Sequence, residues 1–343
     1  MGQTLGSVTH YLNLRAEESA ARGVIPRWLP IEYSPSRVPW AFAGSLRARR
    51  ALLPVLDGVD GLFIHTTTLA LFAARSFRRK PAIVSTDGTP LNKRGMREWY
   101  GLKPEGRVAE AAKRALYRWT FRGARGFVAW SSSAKESLVN DYGCREEEVA
   151  VIPPGINLRT FAPGDRFRAL PRILFVGGDF ARKGGDLLLD VFRKRLRGRA
   201  ELVLVTPAQV AEEPGVTVHR GVAANSAKLR ALYAECDLFA LPTRADCYPL
   251  VCMEALACGL PLVTTRVGGI PDFVREGETG HLIARDDAAG LGDALEALVS
   301  DPARRQAMST RCRADATERF DARTNAARLF DFVRARVEPQ VRR

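Results

Sequence analysis

The feature that most constrains this chain is a run of short apolar segments after residue 171 that alternate with amphipathic stretches. "RILFVGG" (172–178), "AELVLVTP" (200–207), "VTVHRGV" (216–222), "DLFALP" (237–242), "PLVTT" (261–265) and "GHLIA" (280–284) read as strands. Between them, "GDLLLDVFRKRLRG" (185–198), "SAKLRALYAEC" (226–236) and "PLVCMEALACG" (249–259) carry apolar residues at helical spacing. Ser226 is placed to cap the second of these helices and Gly259 to stop the third. "DDAAGLGDALEALVSD" and "DPARRQAMSTRCRADATERF" follow as amphipathic helices. Short apolar strands alternating with helices imply a parallel sheet covered on both faces, a Rossmann-like layer.

The first half repeats the theme less clearly. "IPRWLPIEY" (25–33) reads as extended, "GLFIHTTTLALFAARSFRR" (61–79) as strand then helix, and "PAIVSTDGTP" (81–90) as strand then loop. "GRVAEAAKRALYRWTFRGA" (106–124) is a long basic helix, "GFVAWSSSAKESLVNDYG" (126–143) a strand, loop and helix, and "EVAVIPPGIN" (148–157) a strand entering a turn. With 343 residues, two domains are expected. The Pro- and Gly-rich segment 153–171 is their natural linker, which gives domains 1–152 and 172–320. A C-terminal helix, 321–343, is free to cross back to the first domain. The chain opens on "MGQTLGSVTHYLNL", a turn and helix without the strand that should precede them. Losing a central strand leaves backbone groups unpaired, so either the coding sequence starts upstream or the sheet tolerates a gap.

Charge is unevenly spread. Residues 1–160 hold 24 Lys and Arg against 14 Asp and Glu, a net +10 of the chain's +14, together with all five tryptophans (28, 40, 99, 119, 130). Such a half suits an anionic partner, whether nucleic acid, a membrane surface or a phosphorylated substrate, or else it is a solvated arginine-rich surface. "SPSRVPWAFAGSLRARRALLPVL" (34–56) combines Trp40, Phe42 and Leu46 with Arg37, Arg47, Arg49 and Arg50. It reads equally as a membrane-docking element and as a core-packing helix with a basic outer side. No apolar run is long enough to cross a bilayer, and the first residues lack the basic and apolar regions of a secretory signal. The expected location is cytoplasmic, with the inner face of the plasma membrane as an alternative. The six cysteines form no CxxC pair and read as buried reduced thiols rather than a disulfide or zinc framework.

Two acids stand out inside "DCYPLVCMEALACGLPLVTT" (246–265), which otherwise reads as core. A helix starting near Pro249–Val251 points free N–H groups and its positive dipole end at the preceding loop, a ready phosphate site at a sheet edge. Asp246 lies just before that start, either as a cap or facing a ligand. Glu254 lies inside the first turns, where an unpaired carboxylate is costly. Either a buried arginine or a polyhydroxyl ligand such as ribose satisfies it. In "FVGGDFARKGGDLLLD" (175–190), Gly177, Gly178, Gly184 and Gly185 bracket Arg182 and Lys183. Glycines admit a close backbone approach and the cations neutralise phosphate oxygens, but the Walker A and GxGxxG spacings are both absent.

Residues 126–333 resemble a family-4 retaining glycosyltransferase of the GT-B fold, two Rossmann-like domains with parallel sheets facing across a cleft. "DCYPLVCMEALACGLPLVTTRVGGIPDFVREGETGHLI" is similar to that family's E-x7-E signature, and "LFVGGDFARKGGDLLLD" to its donor-phosphate loop. "VAVIPPGINLRTFAP" resembles its inter-domain strand and linker, and "LRALYAECDLFALPT" the helix and strand before the signature. The N-terminal half matches more weakly.

The resemblance implies that Glu254 holds the donor's ribose and that Asp246, an Asp where the family has Glu, faces the transferred sugar. Amides around Tyr248, Leu250 and Val251 would touch the sugar and diphosphate, and Pro249 replaces a usual glycine, removing one N–H. Lys183 would bind the diphosphate beside Gly178, with Arg182 taking over part of the role of an arginine the family places earlier. On the acceptor side, Asp87 stands where members often carry a histidine, at the reacting centre or simply capping a turn. His65 ends another strand at the same edge, lining the acceptor pocket or serving structure. Gly6 could supply the turn that lets the first helix approach a phosphate, followed by His10.

The implied reaction moves a hexosyl unit from a nucleotide diphosphate sugar to an acceptor hydroxyl of a glycan, glycolipid or small molecule. It retains configuration and needs no metal or other cofactor, in keeping with the lack of a His, Cys and Asp ligand cluster. The 153–171 linker would be the hinge as the domains close. A sugar-nucleotide epimerase or a sugar phosphorylase on the same fold is the enzymatic alternative, and a basic nucleic-acid- or membrane-binding protein the non-enzymatic one.

Overall fold

The computed structural model describes residues 5–32, 40–102, 106–165 and 170–338. In chain order its elements begin with α1 (Leu5–Ala16), α2 (Trp40–Leu52), β1 (Leu62–His65), α3 (Thr67–Ala70), α4 (Ala74–Arg79) and β2 (Ala82–Thr86). Then come α5 (Arg107–Phe121), β3 (Gly126–Ala129), α6 (Ser132–Asn140), β4 (Val149–Val151), β5 (Arg172–Val176), α7 (Gly185–Val191), β6 (Glu201–Val205) and β7 (Val216–His219). The chain continues through α8 (Ala227–Glu235), β8 (Leu238–Leu241), α9 (Leu250–Ala257), β9 (Leu262–Thr265) and β10 (Gly280–Ile283) to α10 (Ala288–Ser300), α11 (Pro302–Arg319) and α12 (Ala322–Val337).

Two units result. The first takes the residues up to 97, then 102–155, and those from 322 on; the second takes 98–101 and 156–321. The sheet of the first unit has the order β1-β2-β3-β4, every pair parallel, with Leu62 opposite Ala82, Ile83 opposite Gly126 and Phe127 opposite Val149. Side chains alternate between its faces. Val84 and Phe127 meet Leu52, Phe77, Tyr117 and Leu138 from α2, α4, α5 and α6, while Ile83, Val128 and Ile152 meet Leu14 of α1 and Leu329 and Phe330 of α12. Of residues 25–33, expected to be extended, 25–30 form no strand, and β1 is an edge of the sheet among the described residues.

The second unit's sheet is also wholly parallel, in the order β10-β9-β8-β5-β6-β7. Its first strand, β5, has β6 on one side and β8 on the other, so the chain reverses its direction of winding between β5 and β8. That is the switch point where loops diverge and ligands bind in open parallel sheets. The helix expected over 185–198 is shorter: after α7 the chain makes a π-helical turn over Phe192–Leu196. Arg195 in that turn reaches Asp293 (2.6 Å) and Glu296 (2.5 Å) on α10.

The chain passes from one unit to the other at Gly155 and returns at Ala322. Ile156 N donates to the Phe320 carbonyl (2.7 Å). A Cβ at Gly155 would lie 2.3 Å from the Ala322 Cα, and backbone cannot yield as a side chain can. Gly155→Ala is therefore expected to destabilise the fold by about 2–3 kcal/mol, as overpacking does, read as a lower urea midpoint with an unchanged slope.

Candidate functional site

The loops that leave β5 and β8 run side by side at the switch point. Gly184 holds φ at +75°, and a Cβ there would sit 2.0 Å from the Pro242 carbonyl oxygen, so only glycine lets them meet. Arg244 N donates to the Arg182 carbonyl (2.8 Å). The Arg244 guanidinium donates to the Ala181 carbonyl (2.5 Å), Asp186 (2.6 Å) and Asp286 (2.6 Å) and covers the Trp99 ring at 4.9 Å. Arg244 is the clamp that sequence reasoning missed. Its partners lie 42 and 58 positions away in the chain, a pairing no local pattern announces.

The clamp brings the predicted residues together. Lys183 Nζ forms an ion pair with Asp246 Oδ2, with both side chains largely buried. Arg182 donates to Asp179 Oδ2 (3.1 Å) and to the Ala245 carbonyl (2.8 Å), and its guanidinium stacks over Tyr100 at 5.0 Å. Gly178 lies exposed just past the end of β5. Helix α9 starts at Leu250 behind Pro249, which has no side-chain cap, leaving the amides at Leu250 and Val251 among those of the first turn. Tyr248 points inward instead: it is 5% exposed and packs edge-on against Phe273 at 5.1 Å. Only its backbone is available to a ligand.

Glu254 is 3% exposed. Its partner is not an arginine but Tyr233 of α8, whose hydroxyl donates to Oε2 at 2.9 Å. Tyr233 is fully buried, stacked on Phe239 at 5.9 Å. Burial pushes the Glu254 carboxyl up to about 7, against a smaller lowering by the tyrosine bond. The other carboxylate oxygen has no hydrogen-bond partner among the described residues.

In the first unit, His65 at the end of β1 and His10 of α1 meet Trp130, which follows β3. The ring centroids are 5.0 Å apart for the two histidines, 4.7 Å for His10 and Trp130, and 4.9 Å for the stacked His65 and Trp130. His65 Nδ1 lies 3.3 Å from Ser85 Oγ. Burial drives both imidazoles to the neutral form, His65 down to about 3. Trp130 is the member sequence reasoning left out, and both histidines are packed rather than open to solvent. The adjoining cavity, lined by His10, Ser85, Trp130, Pro154 and Asn325, is about 20 Å³, room for about one water molecule. Asp87, beyond β2, is partly exposed and lies 3.6 Å from Lys93. Gly6 lies in the first turn of α1 rather than in a turn before it. All six cysteines are buried and none is in a disulfide.

Two wholly parallel α/β units, with a glycine-rich basic loop beside a helix start at the switch point of the second, define a GT-B architecture. The sucrose-phosphate synthase of Thermosynechococcus elongatus superposes with a TM-score of 0.74 over 95% of this chain and 92% of that one, at 18% identity. Residues 8–160 match the model of Glycosyltransferase Family 4 and residues 170–301 that of Glycosyl transferases group 1. The chain belongs to the family-4, group-1 glycosyltransferases.

Among curated relatives, a D-inositol 3-phosphate glycosyltransferase of Pseudarthrobacter chlorophenolicus is 30% identical over 60% of this chain and 54% of its own length. A GDP-mannose-dependent alpha-(1-6)-phosphatidylinositol monomannoside mannosyltransferase of Mycolicibacterium smegmatis is 32% identical over 54% of this chain and 56% of its own. The chain thus spans little more than half the length of these relatives.

Proposed function

We propose that the protein transfers a hexosyl unit from a nucleotide diphosphate sugar to an acceptor hydroxyl, with retention of configuration and without a metal ion. The observation that carries this reading is the Lys183–Asp246 pair at the switch point beside the start of α9. The pair satisfies both charges. An arriving diphosphate takes Lys183 as its counter-ion, is supported by Arg182 and by the amides of α9, and frees Asp246 to face the sugar. Lys183 and Arg182 supply the positive charge that a leaving diphosphate needs, which is electrostatic stabilisation of the departing group. Glu254 offers its unpartnered oxygen to a ribose hydroxyl. Tyr248, Leu250 and Val251 contribute backbone, and Gly178 lets the chain come close.

The acceptor is assigned to the C-terminal edge of the first unit's sheet, where Asp87 is partly open. The relatives' names give inositol phosphate and a phosphatidylinositol mannoside as acceptors, so a phosphorylated polyol or a lipid carrying one is the first class to try. The test is incubation with a panel of nucleotide sugars and such acceptors. It reads the nucleoside diphosphate released and the anomeric configuration of the product by NMR. An inverted product removes the retaining part of the reading, and turnover that depends on inorganic phosphate makes the protein a phosphorylase.

A further inference from the structure

Helix α5 breaks the usual rule for a surface helix, whose outer side is polar. Its inner side is buried in the ordinary way through Tyr117, Thr120 and Phe121. Outward, Val108, Ala112, Ala115 and Trp119 follow one another at i, i+4, i+7 and i+11, a single stripe along the helix. All four are exposed, Val108 by 84% and Trp119 by 45%. Arg107, Arg114, Arg118 and Arg122 line one flank. On the other flank Arg78 of α4 lies over the Trp119 ring at 5.0 Å.

The charge is concentrated here. Residues 74–80 and 106–125 hold ten Lys or Arg and one Glu, which is +9 of the chain's +14. That Glu, Glu110, is turned toward Arg94 and Arg97, and Arg79 is paired with Asp57. Arg118 and Arg122 have no ion-pair partner among the described residues. They line a cavity of about 300 Å³ at the C-terminal end of the helix, together with Tyr142, Cys144, Arg145 and Glu148.

We propose that the outer face of α5, with the basic flank of α4, seats the protein on a bilayer bearing anionic lipids. The stripe sinks into the headgroup and acyl boundary, and the arginine rows bind the phosphates on either side. A nucleic acid uses the arginines but has no use for a continuous stripe of valine and alanines, which offers neither hydrogen bonds nor stacking. The stripe spans about 16 Å at 1.5 Å per residue, enough to set one helix flat on a membrane. The cavity between Arg118, Arg122 and Arg145 suits a phosphate-bearing headgroup. The α2 segment singled out in the sequence is the weaker candidate. Its residues 34–39 lie outside those described, and Phe42 is partly spent on Phe72, with ring centroids 5.7 Å apart. The inference rests on reading the basic first unit as membrane-directed and is independent of which donor is used.

The test is sedimentation of the full chain with vesicles of phosphatidylglycerol and phosphatidylcholine, against phosphatidylcholine alone, at low salt and without nucleotide. Binding to the anionic vesicles only is expected. Arg114→Glu/Arg118→Glu/Arg122→Glu should lower the partition coefficient at least ~100-fold, since each basic residue near the surface contributes about fivefold. Arg49→Glu/Arg50→Glu in α2 should leave it within about threefold, the loss of less than one such contact. Brominated lipid should quench a fluorescence component that Trp119→Phe removes, a readout independent of the charge variants' folding. No vesicle binding by the wild type, loss on the α2 reversal but not on the α5 reversal, or α5-dependent binding to a short DNA duplex in preference to vesicles each overturns the proposal. Nucleotide stabilisation measured without vesicles should be the same in the α5 variants. Its absence in all proteins condemns the transferase reading and leaves the membrane face standing.

Discussion

Lys183→Ala is expected to lower the rate of sugar transfer by about 10²–10³-fold, the usual effect of deleting one preorganised group that stabilises developing charge. The variant also leaves Asp246 largely buried without its cation. An orphaned carboxylate of this kind is destabilising by a few kcal/mol, so a drop in activity alone does not isolate the chemical role. The double variant Lys183→Ala/Asp246→Asn separates the two effects. Removing both charges should recover most of the stability, because neither group is left uncompensated. It should recover none of the transfer rate, because the diphosphate still lacks its counter-ion. Urea midpoints and single-turnover rates of the four proteins of the cycle read both. Recovery of activity along with stability would mean that Lys183 serves only to neutralise Asp246.

The second large effect is a pH dependence at Glu254. Burial raises its carboxyl from the usual carboxylate range to about 7. Between the unfolded value and about 7 the folded protein holds a proton that the unfolded chain has released, so stability falls as pH rises through that window. The loss approaches about 3 kcal/mol from this one group, and Glu254→Gln should be free of it. Donor binding should run the opposite way. A carboxylate accepts from the ribose hydroxyls better than a carboxylic acid does, so nucleoside diphosphate affinity should rise about tenfold from pH 6 to pH 8, following ionisation of a group near 7. Glu254→Gln should bind weakly at every pH. Isothermal titration at the two pH values measures it, and equal pH dependence in wild type and variant would remove Glu254 from the donor site.

The alternation of five-residue apolar runs with amphipathic stretches is a local signal, and the strands and helices of the second unit were legible from it. So were Lys183 and Asp246, because glycines on either side of a cation pair and an acid before an uncapped helix are both patterns within a few positions. What escaped was long-range. Tyr233, 21 residues before Glu254, looks in sequence like any apolar-face tyrosine, and only folding reveals it as the carboxylate's donor. Arg244 reads as a loop cation until its two aspartates are brought in. Trp130 sits in an ordinary strand-to-helix turn, and its stacking on His65 depends on strands whose register no local pattern sets. The basic helix over 106–124 was plain from composition. Its outward apolar stripe was not, because sequence gives the period of a helix and not which side faces the core.

The central claim is that the second unit binds a nucleoside diphosphate through Lys183 and Glu254. Thermal unfolding of the chain with UDP, GDP, ADP and their sugars tests it most directly. A ligand at 100 times its Kd adds about 2.7 kcal/mol, which raises Tm by several degrees in a protein of this size. At least one of these nucleotides should do so in the wild type and fail to do so in Lys183→Ala and Glu254→Ala. A panel in which no nucleoside diphosphate moves Tm, or in which both variants respond as the wild type does, contradicts the account.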